Sequence, residues 1–425
     1  MMKKINLKGL EMTLYQEELE NGLKIYMLPY NNKKNYFISF ATRFGSDTLS
    51  FKDSKGKSFT PPLGIAHFLE HKMFEQESGE DPFSFFSASG TDSNASTSFD
   101  NTQYICYGTK EFAKNLRYLL HFVNSPYYTD HNVNKEKGII AEEIKMYGDM
   151  PDFQLEMKLR ECIYKNHPRR IDIAGTEEEI NKITKEDLYA CYSNFYVPNN
   201  MFILIVGNFD KEEALKIIRD ELEYKKLAKL PTIKKIEEPT AVFKEEMTIN
   251  SPIEIPKLAI GLKVSTKRFK ETDIEIDLYL HMITSILFGA SSEFRERVRQ
   301  EKILSSMYTD WESLEDMRVF YFMASTKEPE RLKKEVLEEF KNKSILESAF
   351  NRIKKVWIAN EVRMIDNIDD TVGNLYDDII KYKDIIPNKI DIIKNLKLKT
   401  MNDIVERIDF NNISIVTMLP NIERK

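Results

Sequence analysis

Gly64-Ile65-Ala66-His67-Phe68-Leu69-Glu70-His71-Lys72-Met73-Phe74 puts two imidazoles and a carboxylate within one turn of a helix. Residues four apart share a helix face, so His67 and His71 lie on the same side, with Glu70 one step round beside His71. Pro61, Pro62 and Gly64 end the preceding loop and release the chain into the helix from about Ile65. Phe68, Leu69 and Met73 give that helix an apolar face, which argues for a buried element over a surface helix with two solvated histidines. Two neutral imidazoles on one face can ligate Zn²⁺, and an adjacent carboxylate can take a proton from a water on that ion.

A second helix is expected over about Val133 to Tyr147 and carries Glu136, Glu142 and Glu143. Glu136 and Glu143 share one face with Ile139 and Ile140, while Glu142 points about a quarter-turn away. Glu143 is therefore the better third ligand and Glu136 its companion, able to steady a ligand side chain. Spacing alone does not bring this helix to the first one; a charged, solvated helix face is the alternative.

The chain has 425 residues, more than one ordinary core holds, and should divide into two domains. Its 62 basic and 68 acidic residues are interspersed and leave a net charge of −6, with no basic patch for nucleic acid. The longest apolar runs, such as Phe202 to Val206, fall far short of a bilayer span, and the start MMKKINLKGLEM has no apolar leader segment. No membrane contact and a cytoplasmic location are expected. Cys106, Cys162 and Cys191 are widely spaced among apolar neighbours and read as reduced core thiols.

Glu18 to Pro29 reads as two strands around the Asn21-Gly22 turn, and Tyr36 to Thr42 alternates like a third. Asn94 to Ser98 and Gln103 to Tyr107 look like strands joined by a short polar turn, and Lys110 to Asn124 has helical spacing. Thr176 with Glu179, and Asp210 with Glu213, have the spacing of capping boxes, and Met201 to Gly207 between them is a buried strand. Alternation of this kind gives an α+β fold, two similar domains each with helices on a mostly antiparallel sheet. The expected division is a first domain over 1–224, a linker over 225–246 marked by Pro231, Pro239 and aperiodic Lys and Glu, and a second domain over 247–425. The second half lacks the metal pattern, since its only histidine is His281.

H-x-x-E-H reverses the common zinc-peptidase motif. With NGLKIY, GIAHFLEHKMFE, SNASTSF, EKGIIAEEIKMY, HPRRIDIAGT and YVPNNMFILIVGNFD in order, the chain resembles the pitrilysin, insulysin and mitochondrial-processing-peptidase family of zinc metallopeptidases, also called the insulinase family. HFLEHKMFE further resembles a bacterial cytoplasmic branch associated by name with modification of elongation factor P. The resemblance implies a zinc endopeptidase acting on short or unfolded peptides, with His67, His71 and Glu143 as zinc ligands, Glu70 as general base and Glu136 supporting the site. It also implies that Asn94 and Ala95 lie on an edge strand to which a peptide adds. The competing readings are a non-catalytic scaffold subunit of the same fold and a zinc hydrolase with a non-peptide substrate.

The family often has an Arg and a Tyr seven residues apart in the second domain to hold the substrate carbonyl. Arg299 fits, but the Tyr position is Ser306, and Tyr308 would project from the same strand face two residues on. The resemblance also implies a chamber closed by four such domains, of which this chain supplies two. A dimer is expected, with itself or with a sister chain lacking the H-x-x-E-H set.

Overall fold

The structure is a computed structural model that describes residues 2–30, 32–341 and 344–421. Its compact units are not contiguous in sequence. The first comprises Met1–Lys145, Asp172–Lys235 and Arg363–Pro387, and the second Met146–Ile171, Ile236–Val362 and Asn388–Lys425.

In the first unit the strands are β1 (Lys3–Leu7), β2 (Met12–Glu18), β3 (Lys24–Pro29), β4 (Tyr36–Thr42), the short β5 (Phe51–Lys52) and β6 (Ser58–Phe59), β7 (Asp92–Thr97), β8 (Thr102–Gly108), β9 (Met201–Gly207) and the short β10 (Thr232–Ile233). Seven of them form one sheet in the order β1-β2-β3-β9-β4-β8-β7, and the short ones a second sheet, β10-β5-β6. Only β3 and β9 run parallel in the large sheet, so β7 is an antiparallel edge strand. Its helices are α1 (Ile65–Met73), α2 (Pro82–Ser87), α3 (Phe112–Val123) and most of α4 (Asp130–Gly148). After α5 (Pro151–Ile163), which belongs to the second unit, follow α6 (Glu177–Ile180), α7 (Lys185–Phe195) and α8 (Lys211–Leu222).

Strand alternation sends side chains to opposite faces, and here both faces are apolar. Ile203 and Ile205 of β9 join a core with Phe68 and Leu69 of α1, while Phe202, Leu204 and Val206 join a separate core with Leu28 and Tyr26. That second face is covered by a helix from late in the chain, through Ile368, Val372, Leu375 and Ile379.

The second unit has α9 (Asp273–Phe288), α10 (Glu293–Gln300), α11 (Pro329–Lys341) and α12 (Glu347–Arg363). The late covering helix of the first unit is α13 (Ile368–Tyr382); α14 (Lys389–Asn395) and α15 (Leu398–Arg407) return to the second. Its strands are β11 (Glu246–Ser251), β12 (Lys257–Ser265), β13 (Leu304–Leu314), β14 (Met317–Thr326) and β15 (Ile413–Pro420), ordered β11-β15-β12-β14-β13. Leu258, Ile260 and Phe322 face a core shared with α9. The other face, with Ala259, Val319 and Val416, is covered by Leu155, Leu159, Cys162 and Ile163 of α5.

The expected contiguous division at 225–246 therefore meets a different arrangement of contacts. Each two-faced sheet takes one covering helix from the other half of the sequence, α5 for the second unit and α13 for the first. Nor do residues 225–246 run free: Thr232 and Ile233 pair with β5, and Glu238 is buried against Lys263 at 2.6 Å while accepting the backbone N–H groups of Asn166 and His167. The helical run Asp273–Gln300 is apolar and long enough by composition to cross a membrane, which the short apolar runs do not foretell. Leu280, Met282 and Ile283 of that run are buried in the second unit's main core.

Candidate metal centre

Gly64 opens α1 in the left-handed region, φ 83°, where an L side chain is strained. A Cβ there would stand 2.2 Å from the carbonyl oxygen of Ala174, and one on Gly175 (φ 78°) would stand 2.7 Å from that of Leu63. The two glycines let these loops meet back to back and fix the start of α1. Ile65, Ala66, Phe68, Leu69 and Met73 then anchor the helix in the core.

On α4, Glu136 and Ile140 are buried and Glu142 is exposed, while Ile139 is half-exposed and so departs from the face expected for it. The helix phase brings Glu143 over both histidines. Its Oε2 lies 3.8 Å from His67 Nε2 and 3.4 Å from His71 Nε2. Among the described residues this is the one group of three or more His, Cys, Asp or Glu residues whose ligand atoms converge, all within 4.8 Å of one another.

Ligand atoms about 2.1 Å from a tetrahedral ion stand about 3.4 Å apart, and the two spacings to Glu143 Oε2, 3.4 and 3.8 Å, are close to that for two nitrogens and one oxygen. The second nitrogen of His71 is held as well: Nδ1 lies 3.1 Å from Glu136 Oε1. With Nδ1–H donating to that carboxylate, the Nε2 lone pair is left for a metal. His67 Nδ1 is buried without a partner among the described residues, and its Nε2 is the nitrogen that faces Glu143.

The two histidines differ in their electrostatics. Burial, then the neighbouring His71, pushes His67 down to about 4, so its imidazole is neutral at ordinary pH. His71 moves the other way: burial lowers it, but hydrogen bonding and attraction to Glu136 prevail and raise it. Burial also opposes ionisation of Glu136, yet the bond from His71 and the charge of Lys72 hold it below the usual carboxylate range.

Glu70 sits on the buried side of α1, and burial raises its pKa. Its Oε2 accepts a 2.6 Å hydrogen bond from the hydroxyl of Thr97 on β7. The carboxylate beside the ligands is thereby tied to the edge strand that carries Asn94 and Ala95. Asn94 is exposed there and Ala95 partly buried against the core.

Two participants lie outside the pattern that singles out the others. Thr97 belongs to a run of small residues in which nothing distinguishes it from Ser96 or Ser98. Lys72 does carry a signal, because it lies three and four residues from Leu69 and Phe68 on the apolar face, where a charge is out of place. Its side chain is fully buried between Glu75 and Glu136.

Arg299 and Tyr308 belong to the second unit. Arg299 is exposed on α10 and grips both carboxylate oxygens of Glu296 in its own helix. Tyr308 is exposed on edge strand β13, with its hydroxyl 2.9 Å from Asp310. Ser306 faces out on the same strand, just after a register shift that begins at Leu304.

Residues 60–177 match the family described as Insulinase (Peptidase family M16), and residues 182–356 match the Peptidase M16 inactive domain. The chain is 40% identical over 314 residues to the zinc protease YmfH of Bacillus subtilis, covering 73% of each sequence. It is 25% identical over 391 residues to the zinc protease PqqE of Helicobacter pylori, covering 86% of this chain and 83% of that one. The crystal structure of an M16-like peptidase from Alicyclobacillus acidocaldarius superposes with a TM-score of 0.91 at 31% identity, covering 98% of this chain and 100% of that one. The periplasmic protease PqqL of Escherichia coli shares the fold, with a TM-score of 0.76 at 17% identity over 99% of this chain and 48% of its own. The two domain descriptions together span most of residues 60–356, and with the 40% identity to YmfH the chain belongs to the insulinase family, peptidase family M16.

Proposed function

We propose that the chain is a zinc metalloendopeptidase for short or unfolded peptides, hydrolysed inside a chamber that a second, related chain completes. The observation that carries this reading is the convergence of His67 Nε2 and His71 Nε2 on Glu143 Oε2, with the Glu70 carboxylate beside them and joined to edge strand β7. Relatives that share the fold are named zinc proteases, which supports the same reading.

His67, His71 and Glu143 would hold the ion, and zinc there supplies a Lewis acid for a water and a scissile carbonyl. Glu70 takes the proton of the attacking water on a carboxylate oxygen and returns it to the leaving nitrogen. Its raised pKa suits that exchange, and the Thr97 hydroxyl fixes the carboxylate's direction. The open edge of β7 lets a peptide at Asn94 and Ala95 pair as an added strand, so backbone hydrogen bonds hold it regardless of its sequence. To Arg299 and Tyr308 we assign contacts with the bound peptide, on the strength of the resemblance.

The test is metal analysis and peptide turnover on matched variants. Wild type should carry about one zinc per chain. His67→Ala and His71→Ala should lose metal and activity together, whereas Glu70→Gln should keep the metal and lose at least about a hundredfold in kcat. Full turnover by Glu70→Gln would overturn the mechanism, and a zinc-loaded wild type inert towards every peptide in an unfolded-protein digest would favour a scaffold role.

A further inference from the structure

Lys72 occupies a place where the helix pattern calls for an apolar side chain. Its ammonium is fully buried, close to Glu75 and 3.4 Å from Glu136 Oε2. Burying an ammonium is costly even when paired, and apolar replacement of buried ion pairs is often neutral or stabilising. A buried pair of this kind is a weak source of fold stability compared with an apolar side chain in the same place.

The two oxygens of Glu136 are divided between two partners. Oε1 faces His71 Nδ1 at 3.1 Å, and Oε2 faces Lys72 Nζ. The terminal torsion of a glutamate is broad, so one hydrogen bond leaves the carboxylate free to swing about that contact. A second bond, to the other oxygen, removes the swing. Lys72 is itself fixed, since it is enclosed by the core and held on its other side by Glu75.

We propose that Lys72 is a positioning residue for the metal centre: its ammonium pins Glu136, and Glu136 thereby holds the His71 imidazole with Nε2 turned to the ion. The proposal rests on the metal-centre reading above, and its effect is on affinity for zinc itself. Partners of this kind that orient a metal-binding histidine typically govern metal affinity by about 10- to 100-fold.

The experiment is zinc affinity of the full chain by competition against a chromophoric chelator, with melting of the metal-free protein as the control. Lys72→Met leaves the buried Glu136 carboxylate without its ammonium, so it should fold but melt below the wild-type temperature without metal, and bind zinc about tenfold more weakly. Glu75→Gln, which touches the centre only through the ammonium, should stay within about threefold of wild type. In a Glu136→Gln background, Lys72→Met should change zinc affinity less than about twofold, because the carboxylate through which it acts is gone. Lys72→Met at wild-type affinity, or with the same loss in both backgrounds, would overturn the proposal. So would unfolding of both Lys72→Met and Lys72→Gln without metal, which would make the lysine a requirement of the fold. A wild-type chain without zinc affinity would fail the metal-centre reading itself, and that result is separable because it precedes any variant.

Discussion

Glu142 and Glu143 are neighbours in sequence with different environments, and helix phase alone separates them. Glu142 is exposed while Glu143 reaches both histidines, so Glu143→Gln should weaken zinc binding severely and Glu142→Gln should leave it unchanged. Chelator competition on the two variants checks this. That distinction is legible in the spacing of residues alone, because a period of 3.6 is a strong constraint on a long helix. Thr97 is not legible, since its importance comes from a contact with Glu70, 27 positions away. Its hydroxyl bond favours the ionised carboxylate and works against the burial that raises the Glu70 pKa. Thr97→Val removes that support, so the Glu70 pKa should rise further. Activity needs the ionised form, and the acidic limb of kcat/KM should move to higher pH, with zinc content unchanged. An unshifted limb would separate Thr97 from the base.

At the scale of elements, the periodic segments are readable and their pairing is not. Tyr36–Thr42 and Met201–Gly207 stand where alternation and apolar runs put them, and Ile65 begins α1 as the Pro and Gly signals require. β11 (Glu246–Ser251) eludes such patterns, because Glu246-Met247-Thr248-Ile249-Asn250-Ser251 lies at the edge of a Lys- and Glu-rich stretch and gains its strand character from parallel pairing with β15. The capping signal at Thr176 is realised only in half. Its hydroxyl accepts the Glu179 N–H, but the Glu179 carboxylate serves Leu63 N–H and Lys182 instead of closing the box. The Leu63 bond and the facing pair Gly64 and Gly175 show one device seating the start of α1 from a distant loop. Gly64→Ala adds a side chain at φ 83° and 2.2 Å from a carbonyl oxygen, and should destabilise the protein by about 2 kcal/mol or more. Chemical denaturation of the metal-free protein measures it, and a loss below about 0.5 kcal/mol would mean that the two loops part without cost.

For the whole molecule, the sequence conveys an α+β chain of two sheet-and-helix units but not the exchange of α5 and α13. Both helices are amphipathic, and an apolar stripe does not say which sheet it covers. The same limit bears on partners, since pattern cannot show a surface that another chain closes. One observation nonetheless supports a second chain. Edge strand β7 has no strand on its outer side among the described residues, beside the candidate metal centre, and folded proteins generally cover such edges. We therefore expect a dimer in solution, formed with a sister chain lacking H-x-x-E-H or with a second copy, and activity that depends on it. Light scattering during chromatography should give about twice the mass of the 49.9 kDa chain. Dilution through the dissociation constant should lower peptidase activity per chain, while zinc content, set by His67, His71 and Glu143 of one chain, should stay constant. A monomer with undiminished turnover at nanomolar concentration would mean that one chain is sufficient both to hold a peptide and to cleave it.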